Sequence, residues 1–427
     1  MRIGIIGAGI SGLAAAWELR KAGHEAVIFE RGAKAGGLIS TFDFDGVTIE
    51  RYYHFLCRND TGYFDLCREL GLDDRIRWQT TRTGFFYNGR EWPFTTALHL
   101  LQFSPLSFRD RMRFGLFALE ARLRQEWVQL DEIRAKPWLI DRVGRKAYDI
   151  IWHPLLAFKF GEVHETISAA WVWHRVHRVA KSKGVMGYLE GGSGYLLDRF
   201  VERLRVEGVE VREGCGVKRI VGNDRVEGLE LENGDVFHCD HVISTVPLPI
   251  VGGLIEQTWP EYGHGLESVG YIGVVCAVFK LRRPVTANFW LNIHDPRIAT
   301  NGIIEYTNLH PVLPGGESIA YVPYYVATDT PLYQMADEAI FRRSWDYIRM
   351  VNEGLGDDDL LGWRVFRAPY AQAVCPVHFL DTRPPAEGVV DGLHLLDSTY
   401  IYPEDRTQSG MILLARDCVR RMLNDNE

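Results

Sequence analysis

The sequence predicts an α/β protein built around a doubly wound parallel sheet, and three features carry that prediction. The first is a glycine-punctuated strand-to-helix turn at the start of the chain, "RIGIIGAGISGLAAAWELRK". The second is the strand "EAVIFE", which ends on a carboxylate, Glu30, eighteen residues beyond Gly12. The third is the return of the same pattern far along the chain: a glycine turn, a helix and strands between 190 and 247, then a last strand, loop and helix after residue 391.

Arg2 to Ile6 reads as an apolar strand and Leu13 to Lys21 as an alanine-rich helix. Between them Gly7, Gly9 and Gly12 stand at the G-x-G-x-x-G spacing, with Ile10 and Ser11 inside the turn. In that context the motif is a Rossmann-like dinucleotide fingerprint. Gly7 allows the tight turn, Gly9 lets the backbone approach a pyrophosphate, and Gly12 lets helix and sheet pack closely, while the helix start offers N–H groups and a positive dipole end. Glu30 stands where a carboxylate accepts both ribose hydroxyls and repels an adenosine 2′-phosphate. FAD or NAD is therefore expected in preference to NADP.

Downstream of Glu30 and Arg31 lies a second glycine pair, Gly36 and Gly37, followed by Leu38. The combination "GAGISGLAAAWEL" and "VIFERGAKAGGLISTF" resembles the flavin amine oxidase superfamily, which includes protoporphyrinogen oxidases, phytoene desaturases and, more distantly, UDP-galactopyranose mutases. That resemblance implies non-covalent FAD, its ADP half on the first module and the Gly36–Gly37 segment near pyrophosphate and flavin. The basic residue usual after the pair is Leu38 here. It further implies a Rossmann-like FAD-binding domain assembled from discontinuous segments (1–60, 186–255 and 391–427), a mixed-sheet substrate domain (61–185 and 256–390) and a helical insertion within it.

The resemblance also implies roles for later residues. Val217 would lie on a strand crossing the adenine, although an ordinary hairpin also explains it. Thr245 and Pro247, at the end of "HVISTVP", would back the pyrophosphate. In "LHLLDSTYIYPEDRTQSGMILLARDCV", Asp397 would touch the ribityl or pyrophosphate part, and Gly410, Met411 and Ile412 would start a helix whose N–H groups face the flavin C2 carbonyl and stabilise the reduced anion.

Composition bounds the class. A chain of 427 residues that is 46% hydrophobic and 12% aromatic buries a sizeable core. The net charge of −8 gives no reason to bind nucleic acid. Cysteines 57, 67, 215, 239, 276, 375 and 418 form neither a C-x-x-C pair nor a metal-ligand spacing, and read as reduced thiols of a cytoplasmic protein. A strand beginning at residue 2 leaves no room for a cleavable leader, and no run reaches eighteen uninterrupted apolar residues. "TGYFDLCRELGL" reads as a short amphipathic helix, "TGFFYNGREWPF" and the Asn233–Gly234 turn as hairpins, 98–185 as largely helical, and "YIGVVCAVFKL", "SIAYVPYYV" and "GWRVFRAPYAQAVCP" as strands of a second sheet.

Catalytic signals are weaker. His54 follows Glu50 in "ERYYHFLCRND", Lys159 sits in the apolar run "IWHPLLAFKFGEV", and Tyr400 with Tyr402 flanks the C-terminal loop. Each has a structural alternative: a satisfied histidine, a snorkelling lysine, strand-end packing. The expected activity is hydride transfer from an organic, hydrophobic small molecule to flavin N5, with oxygen or a quinone-like acceptor completing the cycle and no metal. The alternative is a UDP-sugar mutase acting through reduced flavin N5, which would need Arg175, Arg178, Tyr321 and Arg364 to converge on a diphosphate. An NAD-linked dehydrogenase and a flavin-binding scaffold are the remaining classes. Finally, Met112, Phe114, Leu116, Phe117, Leu119 and Leu123, with Arg109, Arg111, Arg113, Arg122 and Arg124, read either as a core-packed helix or as a peripheral contact with an anionic membrane.

Overall fold

Five short strands drawn from distant parts of the chain run in one direction: Leu393–Leu395, His241–Ser244, Arg2–Ile6, Glu25–Glu30 and Glu210–Glu213, in that order across the sheet. They are seen in a computed structural model that describes residues 1–424 apart from Lys183 and Pro314. The central strand Arg2–Ile6 is buried at every position after the first because both faces of the sheet are covered, so its sequence is a continuous apolar run rather than an alternation. On one face pack the helices Ile10–Lys21, Gly192–Val206 and Gln408–Asn424. On the other lie a three-stranded antiparallel sheet (Val217–Gly222, Val226–Leu231, Val236–His238) and the helices Leu248–Ile255 and Pro260–Glu267. The helix Thr61–Glu69 joins this first core, with Tyr63, Leu66 and Cys67 buried alongside Ile412 and Ala415. A division of the domains at residue 60 therefore cuts through packed side chains.

The second sheet has seven strands, ordered Leu360–Ala373, Tyr271–Leu281, Ser318–Val326, Gly302–Glu305, Trp290–Ile293, Thr83–Tyr87 and Arg90–Pro93. It is mixed, because Trp290–Ile293 pairs in parallel with Thr83–Tyr87 while the other neighbours are antiparallel. The hairpin closing its edge turns on Asn88 and Gly89, at φ +53° and +70°, the left-handed pair that a two-residue turn needs. One face is covered by the helix Asp337–Val351, where Trp345 stacks on Phe279. The other face meets the helical insertion and the loop after Glu50.

Within the insertion the helix Phe108–Leu123 divides its apolar residues between two faces. Phe117 is 2% exposed and packs edge-on to Trp138 at 5.2 Å and Trp152 at 6.1 Å, with Phe114 against the same core. Phe108, Met112, Leu116, Leu119 and Leu123 are exposed. At roughly 100° per residue these five fall on the side opposite Phe117, so no single apolar face contains both sets. Among the described residues no helix is long and apolar enough to cross a membrane. Phe117→Ala should lower the unfolding free energy by about 3–5 kcal/mol, and Leu116→Ala should stay within about 0.5 kcal/mol of wild type, both read by chemical denaturation.

Candidate functional site

Because the five strands share a direction, the residues that follow them meet along one edge. After Arg2–Ile6 the chain turns at Gly7, φ +99°. A Cβ on Gly12 would stand 2.0 Å from the Gly7 carbonyl oxygen, so only glycine lets the helix sit this close. Gly9 is different. Its backbone is extended, at φ −73° and ψ 177°, and an added Cβ would meet nothing within 4 Å. The protein itself supplies no steric reason for glycine there; an approaching ligand would. Ile10 and Ser11 are buried in the first turn of the helix.

Glu30 organises this edge. Its Oε2 accepts from the Ala8 N–H at 2.9 Å and its Oε1 from the Gly32 N–H at 2.6 Å, which leaves each oxygen able to accept one further bond. Arg31, next along, is exposed. The Gly36 N–H donates to the Ala8 carbonyl at 3.0 Å, and a Cβ on Gly37 would lie 3.5 Å from Gly9 Cα, so the two glycine turns face each other. Thr245 spends its hydroxyl on the Ile6 carbonyl at 2.9 Å, locking the strand end. Val217 opens the antiparallel sheet, two residues after Cys215, whose N–H donates to the Glu30 carbonyl at 2.8 Å.

At the far strand end Asp397 is buried, and Oδ1 accepts from the Tyr271 hydroxyl at 2.7 Å and the Thr399 N–H at 2.8 Å. Burial raises its carboxyl above the usual range. The helix that follows departs from the expected pattern. The Gly410 N–H is taken by Thr407 Oγ1 at 2.9 Å and the Met411 N–H by the Thr407 carbonyl at 3.1 Å, while Ile412 is buried against the core. A helix leaves its first N–H groups unpaired; among the described residues those here belong to Gln408 and Ser409.

Beyond the edge, Leu38, Tyr52, Tyr53, His54, Tyr325 and Arg406 border a cleft of about 350 Å³ that reaches the second sheet at Val274 and Cys276. His54 also borders a hollow of about 270 Å³ with Glu50, Tyr306 and Gln408. Burial lowers the His54 pKa, so the imidazole is neutral, and its Nδ1 is buried without a hydrogen-bond partner, as is Gln408 Oε1. The Glu50 carboxylate is committed: Ser193 N–H donates at 3.0 Å and the Tyr306 hydroxyl at 2.6 Å.

Beside the cleft is a buried charge cluster. Asp405 accepts from Arg175 at 2.8 Å and lies 3.4 Å from Lys159 Nζ, which sits 4.9 Å from the Trp171 ring centre and 5.2 Å from that of Tyr325. Arg406 donates to the Tyr325 hydroxyl at 3.0 Å, to the Ala371 carbonyl at 2.5 Å and to Gln372 at 3.3 Å. Burial pushes Lys159 down to about 7, with Asp405 opposing, and the neighbouring cations hold Asp405 well below the usual carboxylate range.

The sequence did not single out Arg406, Asp405, Tyr325 or Tyr271; the charged run Glu404–Asp405–Arg406 inside an otherwise apolar segment was the available signal. Tyr400 lies apart from the cleft, its hydroxyl donating to the Pro384 carbonyl at 3.2 Å, and Tyr402 donates to Asp131 at 2.5 Å, which is strand-end packing in both cases. Nor do the four residues a diphosphate would need converge. Arg178 is bidentate with Asp60 at 3.0 Å, Tyr321 donates to the Glu50 carbonyl, and Arg364 lies over the Phe44 ring. Glu387, His394 and Cys418 bring ligand atoms within 4.8 Å of one another, but Arg421 holds Glu387 at 3.0 Å as an ion pair.

The family described as flavin containing amine oxidoreductase matches residues 10–395. A 15-cis-phytoene desaturase from Synechococcus elongatus is 26% identical over 303 residues, 64% of each chain, so the match spans somewhat less than two thirds of that relative. In fold the chain resembles a candidate protoporphyrinogen oxidase from Exiguobacterium (TM-score 0.80, 18% identity, 99% of both chains). It also resembles reduced UDP-galactopyranose mutase (TM-score 0.76, 15% identity, 99% of this chain and 95% of that one).

The two glycines make opposite demands. Gly12→Ala should destabilise the apoprotein by about 1–3 kcal/mol through its clash with the Gly7 carbonyl. Gly9→Ala should leave apoprotein unfolding unchanged and weaken FAD binding in calorimetric titration. Glu30→Gln, which turns one acceptor into a donor, should weaken FAD binding by about one to two orders of magnitude, the equivalent of a charged hydrogen bond worth roughly 1.5–3 kcal/mol.

Proposed function

The chain belongs to the flavin containing amine oxidoreductase family of FAD-dependent enzymes, and on that premise we propose that it holds FAD non-covalently and oxidises a small organic molecule that has an apolar body and an anionic group. The observation that carries the substrate class is Arg406. It is a half-buried guanidinium at the wall of an aromatic cleft, and among the described residues it has no carboxylate within ion-pair distance. A buried charge is costly unless it is paired. Asp405 is already shared by Lys159 and Arg175, so a carboxylate on the ligand is the partner the cluster lacks.

The residues fit FAD. Gly9 leaves its backbone open to a pyrophosphate, Glu30 retains acceptor capacity for a ribose, and the unpartnered Gln408 Oε1 stands where the C-terminal helix begins. Bound there, FAD would supply the two-electron acceptor for hydride removal from the substrate, with oxygen or a quinone-like compound as the onward acceptor. The chain's own residues do the rest. Tyr52, Tyr53 and Tyr325 exclude water from the apolar body, Arg406 orients the anionic group with the Lys159 charge behind the Tyr325 ring, and neutral His54 can take the departing proton at Nδ1. The mutase alternative draws no support from Arg175 and Arg178, which are each committed to a carboxylate.

An aromatic carboxylate such as 2-naphthoate should perturb the visible spectrum of the bound flavin, and the corresponding alcohol and amine should bind far more weakly. Lys159 is protonated below about pH 7 and neutral above it. Its part in anion binding is therefore complete on the acid side and lost as pH rises through 7, so the naphthoate Kd should increase from pH 6 to 8, and Lys159→Met should flatten that dependence. Arg406→Gln should raise Kd by about 10- to 100-fold. Equal binding of the three probes would refute the anionic substrate.

A further inference from the structure

We infer that the helix Phe108–Leu123 seats the protein on an anionic lipid surface through the stripe Phe108, Met112, Leu116, Leu119 and Leu123. All five side chains are between 45% and 66% exposed, and at roughly 100° per residue they fall within an arc of roughly 80°. The orientation is fixed from behind, because Phe117 and Ala121 are buried in the insertion core on the opposite side. The short helix Ala97–Gln102 packs against this one and adds exposed Leu98 and Leu101, with Arg111 bonded to the Leu101 carbonyl. Scattered exposed leucines need no explanation, but an ordered stripe of this length does.

Charge selects the occupant. The segment 97–124 carries five arginines against two acidic residues, in a chain whose net charge is −8. Arg109 and Arg122 are exposed and flank the stripe on its two sides. The two acids are both partnered: Glu120 is ion-paired with Arg142 at 3.2 Å, and Asp110 accepts from the Ser107 hydroxyl at 2.7 Å. An apolar stripe between arginines matches the depth profile of an interfacial helix, with hydrocarbon below and anionic headgroups beside it. A second copy docked on the same stripe would instead bring its own arginines against these. This inference does not depend on the flavin reading.

The test is co-sedimentation of the FAD-loaded protein with phosphatidylcholine vesicles, with and without phosphatidylglycerol, at low and at roughly 0.5 M salt. Wild type should bind the phosphatidylglycerol vesicles at low salt and be released by high salt. Leu116→Ser/Leu119→Ser/Leu123→Ser and, separately, Arg109→Gln/Arg122→Gln should each weaken binding by roughly tenfold or more. Both sets are exposed, so thermal unfolding and flavin content should match wild type, which shows that any loss is not misfolding. The inference is overturned if wild type does not bind, if it binds neutral vesicles equally at both salt concentrations, or if the serine variant binds as wild type. It is also overturned if sedimentation velocity shows a dimer that the serine variant dissociates, which would give the stripe to a second copy.

Discussion

Every feature of the site depends on one constraint: the strands of the first sheet are parallel, so they all end at the same edge. That geometry brings Gly7, Glu30, Thr245 and Asp397 together from both ends and the middle of the chain. Short-range bonds then set their spacing. The Glu30 carboxylate holds both the Ala8 and Gly32 N–H groups, and Gly36 holds the Ala8 carbonyl, so the first glycine turn is gripped by the segment that follows the second strand. The C-terminal helix is pinned to the first helix by Arg416, which reaches Glu18 at 3.0 Å and Glu69 at 2.5 Å. The same arginine therefore ties in the helix Thr61–Glu69.

Asp405 joins the insertion to the cradle. Lys159 and Arg175 come from two helices of the insertion, and Asp405 from the loop before the last helix. Removing that carboxylate would leave buried cations without a counter-charge, a change that typically costs several kcal/mol. The cluster thus serves structure and recognition together. It holds the wall of the cleft in place, and it leaves Arg406 with only neutral partners, facing the space where a substrate would lie.

What the sequence revealed was local chemistry. The G-x-G-x-x-G turn, the Glu30 strand end, the Asn88–Gly89 and Asn233–Gly234 hairpins and the strands of the second sheet all follow from residues within a few positions of one another. What it hid was long-range packing. Whether Phe117 or Leu116 faces inward depends on Trp138 and Trp152, and whether Thr61–Glu69 joins the first core depends on a helix at the other end of the chain. Tyr400 falls under the same rule: its place beside the C-terminal flavin motif made it a catalytic candidate, but the Pro384 carbonyl takes its hydroxyl. Arg406 was visible only as one charge in a short charged run, because its significance lies in the carboxylate it lacks.

The central claim is that this edge is a cradle for FAD, and the identity of the chromophore released from the purified protein tests it most directly. Acid precipitation followed by chromatography and mass measurement of the supernatant should yield FAD, intact and stoichiometric with the chain, and leave a colourless pellet. A protein that releases no flavin and instead binds NAD, or a flavin that remains attached to the polypeptide, would contradict the account.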